Sequence, residues 1–182
     1  ITSFTVLEEG HAINEWYMRK YAGVDPNDGS AMWYVNGQDG ATTKVYNEAK
    51  VSYQGKSAMP TYTGGLGTNL KLNNFFLDVN FYFSGGNKVY QDWGNYVAGT
   101  TSTALNTFNA TDLVLDRWQQ PGDQTDTPKL TTTSNNNHSV SSRFLKDGDF
   151  VRLRDITFGY SFSSEIVKSL AIDGLTLSVR GT

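Results

Sequence analysis

Asp25-Pro26-Asn27-Asp28-Gly29 has the most ligand-like spacing in this 182-residue chain. A calcium loop places oxygen ligands at alternate positions, with glycine at the sixth and glutamate at the twelfth. Counted from Asp25, the fifth position is Gly29, the sixth is Ser30 and the twelfth is Asn36, so the template fails. A tight turn fits instead. Pro26 presets φ, Asp25 accepts from the backbone two residues on, and Gly29 supplies a permissive φ.

Other chemistry is sparse. There are no cysteines, so no thiolate nucleophile, thiolate metal site or disulfide. The two histidines, His11 and His138, are far apart in sequence and form no zinc-ligand pair. No GxSxG elbow is present. The carboxylates of Glu8-Glu9 and of Asp147 and Asp149 read as solvated charges in loops rather than acid–base pairs. The glycine-rich "TGGLGTN" at 63–69 lacks the P-loop Lys-Ser/Thr and falls inside a strand, where glycines permit bending or close backbone approach. Arg152 and Arg154 either line a pore and meet a polar or anionic solute, or pair with acids such as Asp155 on a hydrated wall. Trp33, Trp93 and Trp118 are sugar-stacking platforms or aromatics of a membrane belt or loop core; sequence does not separate these. The residues point to no enzyme, no cofactor and no bound metal.

The net charge of −3 and the absence of a Lys/Arg run give no footprint for nucleic acid. Ten Phe, ten Tyr and four Trp, with abundant glycine, make a β-rich composition. No apolar run approaches the roughly 20 residues of a membrane helix, but a barrel strand needs only about 9–11 alternating residues. The chain opens at Ile1 and stops at Thr182 just after an alternating stretch, so it is expected to be a piece of a longer protein.

The clearest strand is "FFLDVNFYFS" at 75–84. Phe75, Leu77, Val79, Phe81 and Phe83 share one parity; Asp78 and Asn80 share the other. Alternate strand side chains point to opposite faces, so this is a two-faced strand. A second strand at 60–71 precedes it across a short link, which predicts a tight antiparallel hairpin. A third, at 150–162, changes parity near Arg154-Asp155, which predicts a β-bulge. A fourth lies at 175–181. Weaker strands are read at 1–7 and 13–22, the latter too mixed in parity for its faces to be assigned.

The connections alternate between short and long. The long ones, 23–59 and 85–149, carry only one predicted helix, residues 113–120, capped by Thr111 or Asp112 and stopped by Pro121. Loops of that length are unusual in a compact soluble domain. They are ordinary in an outer-membrane barrel, with short periplasmic turns on one side and long external loops on the other.

The order of landmarks is itself informative. "YAGVDPNDGSAMWY" precedes "SAMPTYTGGLGTNLKLNNFFLDVNFYFSGGNKVY"; "RWQQPGDQTDTPKL" and then "SSRFLKDGDFVRLRDITFGYSFS" follow. Over residues 20–181 this resembles the C-terminal barrel region of the SusC/RagA family, the TonB-dependent outer-membrane transporters of Bacteroidetes. The resemblance implies an all-β fold: about six antiparallel transmembrane strands of a large barrel of about 22 strands, with long extracellular loops. It implies a bacterial outer-membrane importer of oligosaccharides or peptides. The implied partners are a SusD-like surface lipoprotein as lid, TonB through N-terminal parts, outer-membrane lipid and the solute. The plug domain and final strands are not in this sequence. On this reading Phe75, Leu77, Val79, Phe81 and Phe83 face lipid, while Asp78, Asn80, Arg152 and Arg154 face the lumen. Residues 23–59 and 85–149 face outside. A soluble carbohydrate-binding β-sandwich and a secreted β-rich surface domain are the alternatives; both would be soluble without detergent.

Overall fold

The computed structural model describes residues 4–100, 107–133, 136–168 and 172–182. In chain order the first strands are β1 (Glu15–Arg19), β2 (Tyr21–Val24), β3 (Ala31–Tyr34), β4 (Thr42–Thr43) and β5 (Val51–Ser57). They are followed by β6 (Tyr62–Leu72), β7 (Phe75–Gly85), β8 (Lys88–Tyr90), β9 (Leu145–Asp147), β10 (Phe150–Ser161) and β11 (Thr176–Gly181). Short helices accompany them among the described residues, including α1 (Gly94–Val97) and α2 (Ser164–Lys168). All strand pairs in the sheets are antiparallel. The chain divides into two units, one formed by Ile1–Met59 and Asn87–Asp147, the other by Pro60–Gly86 and Gly148–Thr182.

The second unit is a sheet of order β11-β10-β7-β6. Its long strands exist because β-branched, aromatic and leucine residues recur at every second position, which gives the sheet one apolar face. The predicted hairpin is present: Leu72 pairs with Phe75, and Asn73 takes φ +54, a left-handed conformation asparagine tolerates. The predicted bulge is also present. Leu153 pairs with Phe81 and Asp155 with Asn80, leaving Arg154 as the extra residue between them. Beside the hairpin turn, the Ser161 N–H donates to the Asn74 carbonyl at 2.8 Å.

The first unit differs from the sequence expectation. Residues 1–3 of the strand read at 1–7 lie outside the described residues, and Thr5 contributes only an isolated bridge to Trp16. The strand read at 13–22 is two, β1 pairing with β5 and β2 with β3. Both pairings contain register shifts, between Glu15 and Tyr17 and between Tyr21 and Gly23, which accounts for the mixed parity. The helix read at 113–120 reduces to a 3-10 turn over Asp112–Val114. Beyond it the backbone is drawn into pairing with a distant segment: Arg117 bridges Thr127, and the Trp118 N–H donates to the Thr127 carbonyl at 2.9 Å.

The two long connections also fold against each other. Tyr46 Oη donates to the Val140 carbonyl at 2.6 Å and Trp118 Nε1 to the Pro26 carbonyl at 3.1 Å, while the Tyr21 N–H, just before the first connection, donates to Ser142 Oγ at 2.9 Å. A small core of Ala31, Trp33 and Ala49, flanked by Tyr21 and Tyr46, closes under β3. Contacts of this kind, many polar and few periodic, leave no pattern in the sequence.

Candidate functional site: the sheet faces and the loop cavity

Register fixes which side chains share a face of the β6–β7–β10–β11 sheet. Phe75 stands opposite Tyr160 and Leu72; Leu77 opposite Phe158 and Leu70; Val79 opposite Ile156 and Thr68. Phe81 stands opposite Leu153 and Leu66, and Phe83 opposite Val151 and Gly64. The face continues on β11 with Leu177 and Val179. It is open on the edge strands β6 and β11, where Leu66 is 69% and Val179 77% exposed, and at the end of β10 beyond the reach of β11, where Val151 is 75% exposed; Leu77, Val79 and Phe83 are half-buried among their neighbours. Phe75 stacks near-parallel on Phe158 with ring centroids 5.8 Å apart. Aromatic pairing of this kind adds to what area burial alone contributes.

The opposite face holds the polar candidates. Asp78 pairs across to Asn69, whose Nδ2 donates to Asp78 Oδ1. Asn80 pairs with Asp155, and Asn80 Nδ2 donates to Asp155 Oδ1 at 3.2 Å. Arg152 stands opposite Tyr82 and reaches over the Phe150 ring at 5.2 Å. Arg154, displaced by the bulge, lines a shallow hollow with Asp155, Asn80 and Gly67. The arginines form no ion pair with Asp155 among the described residues; Asn80 occupies that carboxylate instead.

In the unit formed by Ile1–Met59 and Asn87–Asp147, the Asp25–Gly29 stretch is the predicted turn. Asp25 Oδ1 accepts from the Asn27 N–H at 2.9 Å and Asp28 Oδ1 from the Ser30 N–H at 2.9 Å. The cation between the two carboxylates is Lys44, whose Nζ lies 2.6 Å from Asp25 Oδ2 and 2.9 Å from Asp28 Oδ2. The hydrogen bond from Lys44 holds the Asp28 carboxyl down at about 2 and lowers that of Asp25. Gly29 has φ +72, and a Cβ there would overlap the Trp118 ring, so glycine is required twice over.

The tryptophans resolve into different roles. Trp33 is 1% exposed and packs edge-on against Tyr46 at 5.3 Å, so it is core and not a sugar platform. Trp118 is half-buried, tied to Pro26 and approached by Lys129, so it closes the turn. Trp93 is exposed. Three of the four acids singled out from sequence hold local contacts: Glu8 accepts from Tyr53 Oη at 2.8 Å, Asp147 pairs with Lys88 at 2.7 Å, and Asp149 Oδ1 accepts from the Gly86 N–H at 2.8 Å; Glu9 is exposed. His11 lies 3.1 Å from Glu15 and stacks on Tyr53. No group of three or more His, Cys, Asp or Glu side chains is placed to hold a metal among the described residues.

The same unit contains a cavity of about 530 Å³ that sequence reasoning missed. β2 lines one side with Tyr21, Ala22 and Gly23; Asp116, Asp126, Arg143 and Lys146 supply its charges. Arg143 donates from Nη1 to the Asn137 carbonyl at 2.7 Å and from Nη2 to the Ala98 carbonyl at 3.2 Å. Its guanidinium lies 5.8 Å from the Tyr21 ring and 5.2 Å from that of Phe144, and burial pulls its pKa below the ordinary arginine value. The only sequence signal was the run "SSRFLKDGDF", which gives charge and aromatic side by side but not their convergence.

Comparison with known proteins places this geometry. No protein-family model matches the chain. TonB-dependent receptor P39 of Formosa agariphila is 30% identical over 124 residues, covering 67% of this chain and 12% of the receptor. TonB-dependent receptor P3 of the same organism is 23% identical and covers 97% of the chain and 18% of the receptor. The chain therefore spans less than a fifth of the length of these relatives. Among solved structures, that of the RagAB peptide transporter superposes with a TM-score of 0.73 at 23% identity, over 91% of this chain and 19% of that one. The RagAB peptide importer in its open-open state gives 0.74 at 24%, over 92% and 19%. These relatives and structures bear the names of receptors, a transporter and an importer.

Proposed function

We propose that this chain, a SusC/RagA-like stretch of TonB-dependent transporter, supplies wall strands and external loops to an outer-membrane importer. The observation that carries the reading is the one-sided sheet. Strands β6, β7 and β10 have 11, 11 and 12 residues, enough for a tilted crossing of the hydrocarbon layer. A continuous apolar face this exposed is a liability in water and the proper surface in lipid. A soluble sandwich would bury that face against a second sheet about 10 Å away, whereas here Val151, Leu66 and Val179 are open.

In this reading Phe75, Leu77, Val79, Phe81 and Phe83 meet lipid, and Asp78, Asn80, Arg152 and Arg154 meet the aqueous lumen. The β6–β7 turn at Asn73 is periplasmic, and residues 23–59 and 85–149 are external. The whole protein imports a polar solute, an oligosaccharide or a peptide, with TonB supplying the drive and a SusD-like lipoprotein acting as lid. The chain has no cysteine of its own, so once any cysteine elsewhere in the full-length protein is replaced, single cysteines introduced here report the facing. In the full-length protein reconstituted in liposomes, Asn80→Cys should react with a membrane-impermeant maleimide and Val79→Cys should not. Reaction at Val79 and protection at Asn80 would refute the facing. Loss of labelled-solute uptake on adding a protonophore tests the importer itself.

A further inference from the structure

The cavity lined by Tyr21, Arg143, Asp116 and Asp126 has a property that the wall reading does not use. It holds charges of both signs, none of them in an ion pair among the described residues. Arg143 has two of its five N–H donors on backbone carbonyls and no carboxylate at ion-pair distance among the described residues. Asp126 acts on it electrostatically from farther off. The carboxylates of Asp116 and Asp126 accept no hydrogen bond, and the Lys146 ammonium has no ion pair, among the described residues. A half-buried guanidinium without a counter-ion is costly, and unpaired acids facing the same space add to that cost. An apolar or neutral occupant would relieve neither.

The cavity volume of about 530 Å³ lies within the range of small-ligand sites. Its charges, Arg143 and Lys146 against Asp116 and Asp126, cancel, so a zwitterion meets it better than a simple anion or cation. From this geometry we infer that the cavity is a binding site for a short zwitterionic peptide, its carboxylate on Arg143 and its ammonium on Asp116 and Asp126. This deepens the importer reading and rests on it. A carboxylate matches the planar guanidinium fork, and the half-buried Tyr21 ring beside Arg143 offers an apolar contact for a side chain. A neutral oligosaccharide would use the same acids as hydroxyl acceptors but would leave the arginine uncompensated.

The test is calorimetric titration of the purified full-length transporter in detergent with trialanine, its C-terminal amide, its N-acetyl form and maltotriose. Trialanine should bind, and each capped form should bind about tenfold more weakly, the loss of one charge-assisted contact. Among the described residues the Asp116 side chain holds no hydrogen bond or ion pair, so Asp116→Asn should fold normally. It should weaken trialanine while leaving the N-acetyl form unchanged. Arg143→Lys should selectively lose the preference for a free carboxylate. Indifference to the caps, indifference of Asp116→Asn, or maltotriose binding in place of trialanine would each overturn the assignment. Proton-motive-force-dependent uptake that persists when the titration fails would leave the importer standing and remove only this site. Absent uptake in the wild type would sink the importer instead.

Discussion

Phe76 on β7 stands directly opposite Gly159 on β10, and its ring lies where a Cβ on that glycine would be. The ring thus covers backbone that the missing side chain leaves open. Gly159→Val should displace Phe76 and destabilise the sheet by about 1–3 kcal/mol, the usual range for overpacking. Gly159→Val combined with Phe76→Ala should recover part of that loss. Denaturant unfolding of the full-length protein in vesicles measures both. Additive losses would mean that the two residues do not share the space.

The two faces of β7 invite a paired comparison. Val79 faces Ile156 and Asn80 faces Asp155, one residue apart on the strand. With lipid on the Val79 side, Val79→Arg should cost about 2–4 kcal/mol near the midplane, while Asn80→Arg should be mild. The same vesicle unfolding experiment reads this directly. Equal costs would remove the assignment of lipid and lumen faces.

The Lys44 bridge predicts a pH response with a definite sign. Asp28 is held at about 2 from an ordinary value of 3.8. A carboxylate depressed in the fold stabilises it above the unfolded value, and that contribution is lost as pH falls through the folded one. The turn should therefore be indifferent to pH above ~4 and loosen between ~4 and ~2. Because Lys44 and Asp28 are exposed, the effect should be modest. The indole N–H resonance of Trp118, bonded to the Pro26 carbonyl, reports the turn. Lys44→Met should flatten its titration; an unchanged titration in that variant would mean that the lysine does not set it.

What was legible in the sequence follows from which forces made it. The strands at β6, β7, β10 and β11 were readable because their two faces differ in polarity, and a period of two records that directly. The bulge at Arg154 was readable for the same reason, as a break in parity between Leu153 and Ile156. The sheets of the other unit were not. β1 and β2 carry register shifts, β4 is two residues long, and bonds such as Tyr46 to Val140 join residues 94 apart. The charged cavity was hidden likewise, since Asp116, Asp126 and Arg143 meet only through that folding. Trp33, Trp93 and Trp118 were indistinguishable because an indole in a core and one on a surface look the same in sequence.

Trp33 offers the sharpest test of that folded loop unit. It is almost fully buried, between Tyr21 and Tyr46, in a cluster whose other buried members among the described residues are Ala31 and Ala49. Its Nε1 has no hydrogen-bond partner among the described residues. Trp33→Ala removes most of the core volume and should cost about 3–5 kcal/mol. Trp33→Phe loses less volume and also removes the unsatisfied N–H, whose burial costs about 1–3 kcal/mol, so it should cost much less. Limited proteolysis of the full-length protein separates the two. Trp33→Ala should open cleavage within 23–59 and 85–149 together, because Tyr46 and Trp118 tie those stretches to each other. Trp33→Phe should stay near the wild-type pattern. Cleavage confined to 23–59 in the alanine variant would show that the two stretches fold separately.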